Sequence, residues 1–516
     1  MNPPFDYPQL DGSAQLQVSG FPGRKAPTPT SRAGTVQFPH ALLALSGDFW
    51  NLANVQGQKI VPRLPRFFVT EKTMPASASW IGRVSSTIIW IAVASLVPLG
   101  IADDWPQWLG PKRDGVWRET GILRNFPPGG PKVLWRTSIG GGYAGPAVAN
   151  GRVYVLDRQH DAGTERVLCL DQNSGQVQWT HEYRCNYAGL SYPAGPRCTP
   201  TVSDGKVYAL GAMGDLHCLD AEKGTVVWHR NLPREYNVRG QNFPRWGYAA
   251  HPLIDGDRLI CLAGGRGSLA VALDKNTGKE IWRALSASEP GYCPPVIYTF
   301  HGRRHLIIWH PEAVNGLEPE TGKVIWSHPF PIRSGLSIPT PIQDGNRLFV
   351  TAFYDGPLML EFAADRDQPS VVWKGQGKNE IDTDGLHSIM PTPVIQGDYI
   401  YGVCSYGQLR CLNKNTGERI WETFEATGGQ RARWANAFLT PHEDRFFLFN
   451  EKGDLIIARL TPKGYEQISR AHLLKPTGDA GFGTRRAVVW SHPAYAGGCA
   501  FIRNDEEIIC VDLRGQ

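Results

Sequence analysis

The sequence contains no G-x-S-x-G elbow, no H-E-x-x-H pair, no phosphate-binding loop and no dinucleotide fingerprint, so the chemistries those motifs carry have no foothold in it. It has no C-x-x-C-H haem attachment and no C-x-x-C pair for zinc. None of its 10 cysteines is next to another. There is no basic run or stripe with interleaved aromatics, and the net charge is only +5 over 516 residues, which gives no basis for nucleic-acid binding.

What is abundant is glycine, at 57, proline, at 40, and tryptophan, at 17, far above average usage. Seven of the tryptophans belong to a repeat. Leu273-Asp274-Lys275-Asn276-Thr277-Gly278-Lys279-Glu280-Ile281-Trp282 returns as Leu170 to Trp179, Leu219 to Trp228 and Leu412 to Trp421, and more weakly as Leu317 to Trp326. In each copy an apolar strand ends, an Asx or acidic residue opens a turn, Gly supplies positive φ, and the next strand carries Trp. Trp stands four residues after Gly in all five copies, which fixes the face of the strand on which the indole lies.

The series Trp135, Trp179, Trp228, Trp282, Trp326, Trp373, Trp421 advances in steps of 44, 49, 54, 44, 47 and 48. About four short strands fit each step, the content of a β-propeller blade, and eight blades would use about 380 residues. Seven blades end at Trp179, Trp228, Trp282, Trp326, Trp373, Trp421 and a strand near Ile468 that lacks the Trp. The turn before Trp373 lacks its Gly and reads Asp365-Arg366-Asp367-Gln368-Pro369. The C-terminal strands 498–502 and 508–512 stop where a Trp strand is due, and residues 132–137 can supply it. The expected fold is therefore all-β, an eight-bladed β-propeller over 132–516 closed by an N-terminal strand completing the last blade. Cys169, Cys218, Cys411 and Cys510 recur just before the turn and read as small buried hydrophobes; Cys185 and Cys198 are the one pair placed to bridge a loop.

Upstream, residues 1–73 read as disordered or as no part of the natural product. Met74, Arg83, the apolar segment 84–99 and the small residues before Asp103 form a secretory signal if translation starts at Met74; the alternative is an uncleaved membrane anchor over 74–102. Either places the propeller in the periplasm or outside the cell. The aromatic and turn-rich lead-in, 103–131, is expected to lie over one face of the ring.

The repeated Asp-x-x-(Thr/Ser)-Gly-x-x-x-Trp resembles the tryptophan-docking motif of the pyrroloquinoline quinone (PQQ) repeat, in the quinoprotein alcohol dehydrogenase-like superfamily. The resemblance covers about 132–516, and the Trp-Pro-Gln-Trp-x-Gly-Pro-x-Arg-Asp-Gly opening at Trp105 is similar to exported planctomycete-type members. It implies the fold strongly and an activity poorly, because the superfamily holds quinone enzymes and non-catalytic propellers alike. For an enzyme it implies PQQ with Ca²⁺, a carboxylate base, a Trp beneath the cofactor and, in many members, an adjacent Cys-Cys disulfide.

The innermost strands carry Pro146, Pro200, Pro252, Pro295, Pro341, Pro393 and Pro493 near their first residues, as proline allows there. Three positions earlier stand Tyr143, Arg197, Ala249, Tyr292, Ile338, Met390 and Trp490, with Asn436 in the seventh blade, so these rim one mouth of the channel. Neighbouring loops add Arg239, Arg245, Trp246, Tyr248, Arg333, His387, Arg431, Arg433, Trp434, Arg485 and Arg486. Eight of these rim residues are arginines, counting Arg197: a positive funnel for an anion, or solvated and stacked side chains. Trp246 and Trp434 are candidate stacking floors. Asp382 and Asp384 form the one carboxylate cluster in a mouth loop and read as an Asx-type turn rather than a metal site; no metal ligand set is assigned. The expected function is a monomeric, non-catalytic binding or scaffold propeller whose mouth and one face hold a protein partner or an anionic ligand. The alternative is a PQQ-dependent oxidoreductase acting on an alcohol or sugar.

Overall fold

In the computed structural model, residues 103–481 and 483–515 are described; the expected extension and signal or anchor, 1–102, lie outside them. Eight four-stranded antiparallel sheets form an eight-bladed β-propeller. Blades 1 to 7 are contiguous in sequence, from Ala147–Ala149 as the first inner strand to Gly464–His472 as the seventh outer strand. Blade 8 joins both parts of the chain: Ala494–Ala496, Cys499–Arg503 and Glu507–Asp512 are followed in the sheet by Val133–Ser138. Trp135 faces Cys510 and Thr137 faces Ile508 across that last pairing.

In every blade the register slips by one residue at the outer strand, just before the Trp position. A bulge of this kind bends the strand and re-aims the following side chain. The indole is thereby turned from its own sheet towards the next. Trp135, Trp179, Trp228, Trp282, Trp373 and Trp421 donate Nε1–H to the carbonyls of Gln172, Ala221, Lys275, Pro319, Lys414 and Thr461, at 2.8–3.1 Å. Each acceptor lies in the outer turn of the following blade. Gly278 shows why the turn residue is glycine: its φ is +70°, and a Cβ there would stand 2.8 Å from the Trp228 ring. The motif thus encodes a joint between blades, with Trp on one side and its neighbour's Gly on the other.

Two joints differ. Trp326 bonds to His305 Nδ1 of its own blade at 2.9 Å, because blade 5 presents Asp365 to Pro369 in place of the Gly turn. The gap is filled from the other side: Phe362 of blade 5 stacks on Phe300 of blade 4 at 3.9 Å and meets Trp326 edge-on. In blade 7 Ser469, opposite Ile457, holds the Trp position. Its Oγ accepts the Phe126 N–H at 3.1 Å, and Phe126 is buried with Ile457 and Ala471.

Cys169, Cys218, Cys411 and Cys510 are buried opposite the Trp positions. Cys185 and Cys198 are both free, and the Cys198 thiol donates to the Tyr248 carbonyl, so no bridge closes that loop.

The lead-in does not simply lie over a face. Trp105 pairs both ways with Val148 of blade 1, and Pro106 accepts from Val202 of blade 2. Arg113 reaches the carbonyls of Pro252 and Pro295, and Trp117 N–H bonds to Pro441. Glu119 accepts from the amides of Gly497 and Gly498 in blade 8. These partners all lie on or beside inner strands, whose short edges need donors and acceptors. The segment therefore plugs the channel.

Candidate functional site

Above the plug the channel opens into a cavity of about 410 Å³. Its floor is Trp108, which donates Nε1–H to Thr340 Oγ1 at 2.9 Å and stacks on His251, 4.3 Å away with 5° between the planes. His492 meets the same indole edge-on at 4.4 Å. The Thr199 N–H donates to His251 Nδ1, so His251 carries its proton on Nε2. His492 Nδ1 faces the Pro493 carbonyl, while Nε2 receives the Gly145 N–H and lies 2.7 Å from Thr199 Oγ1, the arrangement of a neutral Nδ1–H tautomer. Burial is the main reason both imidazoles stay neutral; it lowers His492 to about 4 and His251 well below its ordinary value. Gly145 permits this approach, since a Cβ there would fall 2.3 Å from the His492 ring.

The walls are aromatic: Tyr143, Tyr192, Trp246, Tyr292, Tyr354, Trp434, Phe438 and Trp490. Trp246 meets Tyr292 edge-on at 5.4 Å, and Tyr192 lies 5.8 Å from Trp490 and 6.4 Å from Trp434. Burial raises Tyr143 and Tyr192 to about 12, so both hydroxyls keep their protons at neutral pH. Trp490 is held from behind by buried Glu451, which accepts its Nε1–H and pairs with Arg486.

Of the expected mouth residues, the structure gathers Tyr143, Arg197, Arg245, Trp246, Tyr292, Arg433, Trp434 and Trp490 around this cavity, with Ala249, Ile338 and Met390. The rest sit elsewhere, Asn436 fully buried among them. Tyr248 is 3 % exposed and donates to the Ala263 carbonyl, since it packs between blades. His387 is 1 % exposed against the Phe353 carbonyl, and burial lowers it to about 4. Arg485 is exposed outside the cavity, on a turn with φ of 49°.

The arginine funnel is also reduced. Only Arg197, Arg245 and Arg433 line the cavity. Arg197 is held by the carbonyls of Ser191, Tyr192 and Gly195 and lies over Tyr143. Arg433 pairs with Glu380 at 2.8 Å and stacks over Trp434. Arg333 and Arg486 pair with Asp355 and Glu451 outside it. Trp246 and Trp434 are walls, and the floor is Trp108, which the sequence pattern did not single out; a plug has no period to betray it.

Among the described residues no Asp, Glu, Asn or Gln lines the cavity. Asp382 and Asp384 are exposed, in a loop capped by Asn379, whose Oδ1 accepts the amides of Ile381 and Asp382 at 2.8 Å. Among the described residues no three His, Cys, Asp or Glu side chains converge as a metal site. PQQ with Ca²⁺ asks for carboxylate or amide oxygens and a carboxylate base at the quinone. The donor set of this cavity does not fit that group.

Trp108→Phe keeps the stack on His251 and removes the bond to Thr340. It is expected to cost about 1 kcal/mol in urea unfolding; a cost above about 3 kcal/mol would mean that the floor depends on the indole N–H.

The blade joints and plugged ring define a tryptophan-docked propeller of the PQQ-repeat type. The chain belongs to the PQQ-repeat family described as outer membrane protein assembly factor BamB, whose profile matches residues 128–196 and 163–423. It is 24 % identical over 234 residues to the outer membrane protein assembly factor BamB of Shewanella oneidensis, covering 44 % of this chain and 56 % of that protein. The chain thus spans about half the length of the curated relatives it matches. Among solved structures, the quinohemoprotein alcohol dehydrogenase of Comamonas testosteroni superposes with a TM-score of 0.55 at 14 % identity, over 80 % of this chain and 81 % of that one. A europium-containing methanol dehydrogenase gives 0.54 at 13 % identity, over 79 % and 89 %. Both likenesses concern the fold.

Proposed function

We propose that the protein is an exported propeller that binds rather than catalyses, holding a protein partner or an anionic ligand at the aromatic mouth above Trp108. The observation that carries this reading is the lining itself: aromatic rings and three arginines, with no side-chain carboxylate or amide among the described residues. Such a surface desolvates a ligand and orients it, but it offers no carboxylate base and no oxygen set for a cation. The name of the matching family, an assembly factor, supports a binding role. We place the protein in the periplasm or outside the cell on the basis of the leader expected from Met74, and take it to act as a monomer. The dehydrogenase neighbours share the ring, but the oxidoreductase reading lacks support in the donor set.

The purified protein, mixed with PQQ and Ca²⁺, is expected to show no stoichiometric quinone absorbance after desalting and no dye reduction with a panel of alcohols and aldoses. Retained quinone with turnover would replace the binding reading by the oxidoreductase one.

A further inference from the structure

The mouth does not stand alone. A second cavity, of about 720 Å³, adjoins it, and Arg245 and Ser334 line both. It runs over the loops of blades 1 to 4, on a bed that includes Leu190, Met213 and Phe243. The charges exposed along it are Arg239 and Arg245, on the loop that follows blade 2. Unlike Arg197 and Arg433, neither is held by a backbone carbonyl or an ion pair among the described residues. The one carboxylate among the lining residues, Glu289, is already bonded to the Tyr292 hydroxyl at 2.9 Å.

Building on the binding reading above, we propose that the two cavities form one cleft for an extended acidic peptide. An aromatic side chain enters the ring-lined mouth, and carboxylates further along the chain meet Arg245 and Arg239. An extended chain presents alternate side chains to opposite faces, which suits a cleft with an apolar bed and a cationic edge. Arginine is the natural partner for the carboxylates. A compact anion would fill the mouth and leave the groove empty. An acidic sugar chain would bring carboxylates, but its hydroxyls need partners that Leu190, Met213 and Phe243 cannot provide.

The test uses the full protein and three probes: a short fluorescein-labelled peptide with one tryptophan among glutamates, the same peptide with glutamine for glutamate, and an oligogalacturonate. Fluorescence anisotropy is read for the wild type and for the variant Arg239→Glu, whose altered side chain is exposed and lines only the second cavity, with matching thermal melts to confirm folding. The acidic peptide is expected to bind in a salt-dependent way and to weaken by about tenfold or more in the variant. The glutamine peptide, which can use only the mouth, is expected to bind more weakly and equally to both. Equal binding of the acidic peptide to wild type and variant overturns the proposal, as does preference for the oligogalacturonate. If the glutamine peptide binds and the glutamates add nothing, the cleft falls while the mouth stands. If neither peptide binds, both readings fall.

Discussion

Trp228→Ala is expected to destabilise the propeller by about 3–5 kcal/mol, the range for removing a buried aromatic side chain. The indole sits over Gly278 of the next blade, and its Nε1–H bonds to the Lys275 carbonyl at 3.0 Å. Neither surface can follow when the ring goes. The Lys275 carbonyl is already fixed by the Tyr208 hydroxyl at 3.1 Å, and the Lys275 ammonium is tied to Asp204 at 2.7 Å. A cavity therefore remains, instead of a collapse that would recover part of the loss. Trp228→Phe keeps most of the buried area and leaves Tyr208 bonded to that carbonyl, so its cost should be nearer 1–2 kcal/mol, roughly a hydrogen bond plus a smaller ring. The measurement is the shift in guanidinium-unfolding midpoint with the slope unchanged. A loss below about 1 kcal/mol for the alanine variant would show that the repeated indoles are not what joins the blades.

The second large effect is expected at Arg503, which is fully buried where blade 8 meets blade 1. Its guanidinium donates to the carbonyls of Leu156 and Gly140, each at 2.6 Å, and of Asn504 at 3.0 Å. Leu156 belongs to blade 1, and Gly140 to the link between the Val133–Ser138 strand and that blade. Burial lowers the pKa, with Asp505 and Asp157 acting against the shift, and an arginine remains charged at neutral pH even so. Arg503→Met matches the length and leaves three acceptors without their donor. At about 1–3 kcal/mol for each buried acceptor left unsatisfied, and with partial relief from water, the expected loss is about 3–5 kcal/mol. Arg503→Lys should recover only part of it, since a single ammonium cannot reproduce the fork. Thermal and chemical unfolding of the three proteins checks this. A methionine variant as stable as the wild type would mean that the link is held by the Val133–Ser138 pairing and the lead-in alone.

The ring could be read from the sequence because its joints are local. Asp274, Gly278 and Trp282 lie within ten residues, and the physics that selects them acts within one turn and its neighbour. The exceptions were visible as gaps: the missing Gly before Trp373 and the missing Trp near Ile468 mark the two joints built differently. Their replacements were not visible, because Phe362 and Phe126 belong to no repeat. The same limit applied at the mouth. Position relative to the inner prolines identified Tyr143, Tyr292 and Trp490 as rim residues, since strand starts fix their place. What the arginines do depended on distant partners: Arg433 meets Glu380, 53 residues away, and Arg486 meets Glu451, 35 residues away. No spacing rule links such pairs. Trp108 escaped for the opposite reason, in that its surroundings come from Thr340, His251 and His492 on three different blades.

The two unlike joints divide the circle into an arc of blades 8, 1, 2, 3 and 4 and an arc of blades 5, 6 and 7. Inside either arc every joint seats an indole N–H on a carbonyl of the next blade's outer turn, with a glycine under the ring at all but the joint of blades 6 and 7, so a unit duplicated or lost among the glycine-bearing joints would still find matching neighbours. At the borders between the arcs the fittings are bespoke. Growth or shrinkage of such a ring is therefore confined to the interiors of the arcs, and an engineered seven- or nine-membered circle should be cut and rejoined there.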